Sequence, residues 1–224
     1  MGTSFLTIML VVLKEGIKMY EEKYHSVVHN HLLNDDYYLF RAKCADKFYW
    51  KYIKDGKVLD FGCGLGQNIF LHKDRSVGYD VSKFAVDKCK EKSIEIKEKF
   101  VKNEFDGVLC VHVLEHLKNP HDTLSKLHNL LKENGRLVIV LPYSLTNKPV
   151  KEFKSDIAKH FYNWNFNSMN ELLNGVGFKI IVNKFNYAYG YSKLYKLPFG
   201  IAIALLKLLG RLNNRREMII VVEK

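Results

Sequence analysis

The sequence predicts an α/β fold built on a mostly parallel β-sheet, and three observations carry that expectation. Strand-like and helix-like segments alternate through the middle of the chain. One short apolar run, Lys57-Val58-Leu59-Asp60, leads into a glycine-rich loop. Another, Val108-Leu109-Cys110-Val111, is apolar without alternation, the pattern of a strand covered on both faces. Such alternation implies parallel strands joined by right-handed crossovers, with ligands bound outside the strands' carboxyl ends.

In chain order, residues 57–60 read as the first strand and 67–72 as the start of a short helix. Residues 76–80 form the second strand. Phe84, Val86 and Cys89 give helical spacing over 84–92. A third strand is expected at 94–96 and a fourth at 105–111. Leu124, Leu127, Leu130 and Leu131 lie on one stripe of a helix over 122–132, stopped by Asn134-Gly135. Residues 136–141 form the fifth strand, ended by Pro142. A helix over 167–174 ends at Gly175 and Gly177, and 178–185 and 218–222 are the last two strands, seven in all.

The chain has 224 residues, 47% hydrophobic and 26% charged, enough for one sizeable core. Its net charge of +11 favours anionic partners such as nucleic acid, acidic lipid or phosphorylated substrates. A lysine-rich solvated surface explains the same charge. The four cysteines (Cys44, Cys63, Cys89, Cys110) contain no Cys-x-x-Cys pair, as expected of reduced thiols in a cytoplasmic protein. The apolar stretch 5–13 falls short of the ~20 residues a spanning helix needs, and lacks the basic start and cleavage site of a secretory signal. Translation from Met19 is a further expectation, because Lys14-Glu15-Gly16 can be encoded by a purine run of the kind ribosomes dock on.

The first strand's exit reads Asp60-Phe61-Gly62-Cys63-Gly64-Leu65-Gly66-Gln67. A dinucleotide fingerprint would place glycine where Gln67 stands, and there is no Gly-Lys-Ser/Thr for a phosphate loop. A carboxylate before the glycines opposes a pyrophosphate but suits a ligand carrying an ammonium or sulfonium. Asp80, about twenty residues further on at the tip of the second strand, is placed to accept both hydroxyls of a ribose.

These residues resemble the class I S-adenosylmethionine (SAM)-dependent methyltransferases, especially the group containing the ubiquinone and malonyl-carrier methyltransferases. Residues 58–66 look like that family's first motif. Leu114-Glu115-His116-Leu117-Lys118-Asn119-Pro120 is similar to its Leu-Glu-His-x-x-Asp-Pro segment. Leu131-Lys132-Glu133-Asn134-Gly135-Arg136-Leu137 resembles its Leu-Lys-Pro-Gly-Gly-x-Leu turn, and residues 160–178 its closing histidine, aromatic, helix and Gly-Phe pattern. The resemblance, running from about Tyr37 onward, implies a Rossmann-like three-layer sandwich with a seven-stranded sheet whose last strand is antiparallel. It implies SAM as cofactor, with Arg41, Asp60, Gly62, Cys63, Gly64, Gly66, Asp80, Val81 and His112 around it. Arg41 would meet the cofactor's carboxylate, and His112 would lie beside its methionine end. The segment 97–104 carries no identifiable partner for the adenine amino group, which leaves backbone atoms near Phe100 or Val101 for that task.

His116 and His160 are the candidate general bases, since both fall on loops at the carboxyl side of the sheet and histidine is the residue type suited to accepting a proton near neutral pH. A metal is not expected: His25 and His29 have helical spacing, and His112, His116 and His121 are close in sequence, but neither group completes a ligand set. Residues 1–50 read as an N-terminal helical cap and 51–224 as the SAM-binding domain, with a helical insertion at about 187–214. Within it, the apolar stretch 194–212, flanked by lysines and Arg211, suits either a pocket cap or a helix lying on a membrane surface. The expected activity is methyl transfer to a small-molecule, glycan or lipid-linked acceptor. An RNA methyltransferase and a non-catalytic SAM-binding regulator are the alternatives.

Overall fold

A computed structural model describes residues 22–143, 152 and 160–224. The expectation about Met19, the stretch 5–13 and the start of the cap lie outside these residues. The chain opens with helices α1 (Glu22–Val28) and α2 (Asp35–Phe48), separated by a 3-10 turn at Asn30–Leu33. Strands β1 (Val58–Phe61) and β2 (Ser76–Tyr79) precede helix α3 (Lys83–Glu91). Strand β3 (Phe105–Val111), helix α4 (Pro120–Leu130) and strand β4 (Leu131–Pro142) follow. Helix α5 (Phe166–Val176) leads into β5 (Lys179–Tyr187). The short α6 (Tyr191–Leu194) and the longer α7 (Phe199–Leu212) then precede β6 (Arg216–Glu223).

The sheet has the order β2-β1-β3-β4-β6-β5. β2, β1, β3 and β4 pair in parallel, and β6 runs antiparallel to both of its neighbours. This is the expected Rossmann-like sandwich, with six strands where seven were expected. The segment 94–96 makes a single parallel bridge, Ile96 to Gly78. Two hydrogen bonds hold it, Gly78 N–H to the Glu95 carbonyl at 2.8 Å and Lys97 N–H to the Gly78 carbonyl at 2.9 Å. Beyond Ile96 the charged run Lys97-Glu98-Lys99 offers no second apolar residue to extend the pairing. The helix expected at 67–72 is only a 3-10 turn at Phe70–His72, because β2 begins at Ser76 and leaves no length for regular turns to accumulate.

Alternation along the central strands sorts the core into two layers. Leu137, Ile139 and Leu141 of β4 face Leu124, Leu127, Met169 and Leu173 of α4 and α5. Val138 and Val140 face the other way, with Phe40, Cys44 and Phe48 of α2 and Ala202 and Leu206 of α7. Local capping fixes the helix ends. Ser82 accepts from the Ala85 N–H at the start of α3, and Asn119 with Pro120 opens α4. Asn165 and Ser168 form a reciprocal capping box on α5, and Gly177, at φ 103°, ends it. Helix α7 approaches the end of β5 through Gly210, where a Cβ would sit 2.5 Å from the Ala188 backbone nitrogen. All four cysteines are buried and unbridged.

Candidate active site

The carboxyl ends of β1, β2 and β3 and the start of the antiparallel β6 meet at one edge of the sheet. The turn after β1 is shaped by glycine. Gly62, Gly64 and Gly66 have φ of 76°, 54° and 81°, a region that favours glycine. Gly62 is closely packed, since a Cβ there would lie 2.4 Å from Val113 Cγ2, and Gly66 likewise, with Ile94 Cδ1 at 2.4 Å. Gly64 differs: the nearest atom to a Cβ would be His29 Cε1 at 4.0 Å. The turn thus has two structural glycines and one that faces open space.

Asp60, the last polar residue of β1, is fully buried and neither carboxylate oxygen has a hydrogen-bond partner. Burial pushes its pKa up to about 7, Asp80 adds to the rise, and the nearby Asn68 side chain opposes it without meeting hydrogen-bond geometry. Asp80 lies just past β2. Its Oδ2 accepts from the Gly64 N–H at 2.8 Å and its Oδ1 from the Ser82 N–H at 2.9 Å. Each oxygen keeps further acceptor capacity, and the first bond ties the two loops together. Burial raises the Asp80 pKa, opposed by these backbone donors. Val81 follows it at the half-buried rim, and the buried Cys63 thiol rests 3.9 Å from that of Cys89.

Arg41 projects from α2. Its guanidinium lies 4.2 Å from the centre of the Tyr191 ring and 3.5 Å from the Tyr37 hydroxyl, and its Nε is buried without a partner. No carboxylate among the described residues pairs with it.

His112 follows β3 with φ 55°, a conformation that costs a non-glycine residue about 1–3 kcal/mol. Its Nε2 is 3.2 Å from Glu217 Oε2 and its Nδ1 3.5 Å from Glu115 Oε1. Burial disfavours its charged form, but the two carboxylates outweigh that and hold its pKa well above the usual imidazole range. Glu217 also accepts from the Tyr49 hydroxyl and the Asn186 amide, each at 2.8 Å. It belongs to the site because β6 is antiparallel, which puts the strand's first residues at the functional edge. Nothing local in Arg215-Arg216-Glu217-Met218 signals this.

His116 and His160 come together, ring centres 4.7 Å apart, although 43 intervening positions separate them in the chain. His121, weighed beside them from sequence, is apart: it is exposed and sits 3.5 Å from Asp122. His25 and His29 share an Nδ1–Nδ1 contact of 2.8 Å, and burial followed by neighbouring positive groups lowers the His29 pKa to about 4. Of the two backbone positions considered for adenine, Val101 already donates its N–H to Glu104 at 3.3 Å. Phe100 packs edge-on against Tyr79 at 5.5 Å.

A family profile described as a methyltransferase domain matches residues 37–182. The chain belongs to this family, the class I SAM-dependent methyltransferases, whose cofactor is S-adenosylmethionine. An uncharacterised protein of Methanocaldococcus jannaschii is 33% identical over 130 residues, covering 49% of this chain and 57% of that one. The tRNA U34 carboxymethyltransferase of Helicobacter pylori is 34% identical over 107 residues, 39% of this chain and 41% of its own. The chain thus spans about half the length of these curated relatives. Among solved structures, a SAM-dependent methyltransferase of Thermotoga maritima, described as a possible histamine N-methyltransferase, superposes with a TM-score of 0.65 at 14% identity. The match covers 92% of this chain and 99% of that one.

Proposed function

We propose that this chain transfers a methyl group from S-adenosylmethionine to a small-molecule, glycan or lipid-linked acceptor. The carrying observation is charge placement. A buried, unpartnered carboxylate (Asp60) lies behind the glycine turn, and an arginine without a carboxylate partner (Arg41) faces the site from α2. A ligand with an α-amino-acid head satisfies both. Asp60 is fully buried, so it acts through its field across the turn, while Arg41 offers a fork of donors to a carboxylate. Cys63 and the backbone of Gly62, Gly64 and Gly66 line the turn, Asp80 and Val81 take the ribose, and His112 borders the methionine end.

The sulfonium of the bound cofactor supplies an activated methyl group, so the protein's part is alignment and exclusion of water. The helices within 22–50 and the insertion at about 187–214 serve as the cap that does this. His116 and His160 border the acceptor's position, where proton removal would be needed for an oxygen or nitrogen acceptor. A lipid-linked acceptor gains support from α7: Ile201, Leu208 and Leu212 are 55%, 51% and 73% exposed, at spacings that share one face, beside Lys207 and Arg211.

Calorimetry with S-adenosylhomocysteine and the full chain tests the reading. Binding is expected, weakened at least about tenfold by Asp80→Ala, the loss of two charge-assisted hydrogen bonds. No heat, or unchanged affinity after combining Asp60→Asn with Asp80→Ala, would overturn it. Tight RNA binding falling steeply with salt would move the acceptor to RNA.

A further inference from the structure

We propose that Glu115, His116 and His160 hold a divalent transition-metal ion at the carboxyl edge of β3. One ligand atom from each of the three lies within 4.8 Å of the others. Glu115 Oε1 is 3.8 Å from His116 Nε2. Metal–nitrogen and metal–oxygen bonds of about 2.0–2.2 Å would draw the donors together by about an ångström, which the exposed His160 can supply.

Three features make this more than a coincidence of side chains. Glu115 is only 1% exposed, and neither of its carboxylate oxygens has a hydrogen-bond partner. A buried carboxylate is costly unless a cation or donors face it. The same edge is also crowded with carboxylates: the single ring of His112 lies 3.5 Å from Glu115 Oε1 through Nδ1 and 3.2 Å from Glu217 Oε2 through Nε2. The backbone, finally, fixes the geometry. Glu115 and His116 sit on the 3-10 turn Leu114–His116. The segment carrying His160 is strapped to that turn, because the N–H groups of Phe161 and Tyr162 both donate to the Glu115 carbonyl, at 2.8 and 3.4 Å. The Tyr162 hydroxyl adds a bond to the Lys118 carbonyl at 3.1 Å.

Two imidazoles and one carboxylate suit zinc, cobalt, iron or manganese better than magnesium or calcium, and leave coordination positions open. His112, touching Glu115 from the other side, would orient the ligating carboxylate. This proposal rests on the methyltransferase reading for its purpose and assigns the two histidines to ion binding in place of proton acceptance. It selects hydroxyl-bearing acceptors. The acceptor's O–H proton leaves to solvent, its electron pair forms the new O–CH3 bond, and the C–S pair returns to sulfur as S-adenosylhomocysteine.

The test uses the full chain, stripped with a chelator and free of cofactor. Zn2+ is titrated by calorimetry and Co2+ by its visible absorption. One ion per chain is expected, with affinity reduced about a hundredfold by His160→Ala and unchanged by His121→Ala. Glu115→Gln, checked for folding by S-adenosylhomocysteine binding, should lose the ion as well. Failure of the wild-type chain to bind either ion, or equal binding by His160→Ala, would overturn the proposal. S-adenosylhomocysteine binding is read separately, so a metal site could fail while the methyltransferase reading stands, and the reverse.

Discussion

Asp60, proposed above to act on the cofactor, is a residue whose burial works against stability. Its pKa rises from 3.8 to about 7 on folding, chiefly through burial and further through Asp80, with Asn68 opposing. The other groups that face it, Tyr38, Cys63 and Cys110, are neutral hydroxyl and thiols near neutral pH. The folded chain therefore holds this proton more tightly than the unfolded chain. Asp60 costs nothing below pH 3.8, and its cost grows as the pH climbs through about 7. A shift of this size corresponds to about 4 kcal/mol, and an orphaned buried amide in its place would cost about 1–3 kcal/mol. Asp60→Asn should thus stabilise the cofactor-free protein by about 1–3 kcal/mol at pH 8, by denaturant unfolding, and destabilise it by about 1–3 kcal/mol near pH 4, where the orphaned amide alone is left to cost. The same variant should bind S-adenosylhomocysteine more weakly. Wild-type affinity should rise between about pH 6 and 8 as Asp60 ionises, and a flat profile in the variant would confirm the source.

At the scale of the element, the turn after β1 separates two kinds of glycine. Gly66 combines φ 81° with a Cβ position 2.4 Å from Ile94 Cδ1 and 3.0 Å from Cys89 Sγ, both buried. Gly64 has φ 54° and open space beyond it. Gly66→Ala should therefore cost about 3 kcal/mol and depress the melting temperature markedly. Gly64→Ala should cost only about 1–2 kcal/mol but weaken S-adenosylhomocysteine binding by about tenfold, because the added methyl occupies ligand space. Thermal melts paired with calorimetry separate the two. Equal loss of stability in both variants would refute the distinction.

For the whole molecule, the proposed lipid-surface role of α7 combines its exposed apolar face with the net charge of +11. No helix among the described residues is long and apolar enough to cross a membrane. Leu208 and Leu212 point outward beside Lys207 and Arg211, an arrangement suited to an anionic lipid surface, where each basic residue adds about 1 kcal/mol. The chain should float with anionic vesicles and less so with neutral ones. Leu208→Asp combined with Leu212→Asp should abolish flotation without changing S-adenosylhomocysteine affinity. Absence of flotation by the wild-type chain would assign α7 to capping alone.

The local code for the fold was largely readable in the chain. Apolar runs announced β1 and β3, and Gly177 marked the end of α5, whereas Asn134-Gly135, expected to stop α4, lies inside β4, and α4 ends at Leu130. The Asp60-to-Gly66 turn with Asp80 is the proposed nucleoside end of the site. These features depend on neighbours within a few residues, so the sequence carries them directly. Tertiary structure decided what depends on strand order and on residues far apart in the chain. The antiparallel course of β6 brings Glu217 to His112, and the strap at Phe161 and Tyr162 brings His160 to His116. The third strand failed for a related reason: Ile94 and Ile96 have strand-like spacing, but an edge position with one neighbour and a charged run beyond it sustains a single bridge. Spacing along the chain cannot report such meetings, because they are fixed by which surfaces the whole sheet brings together.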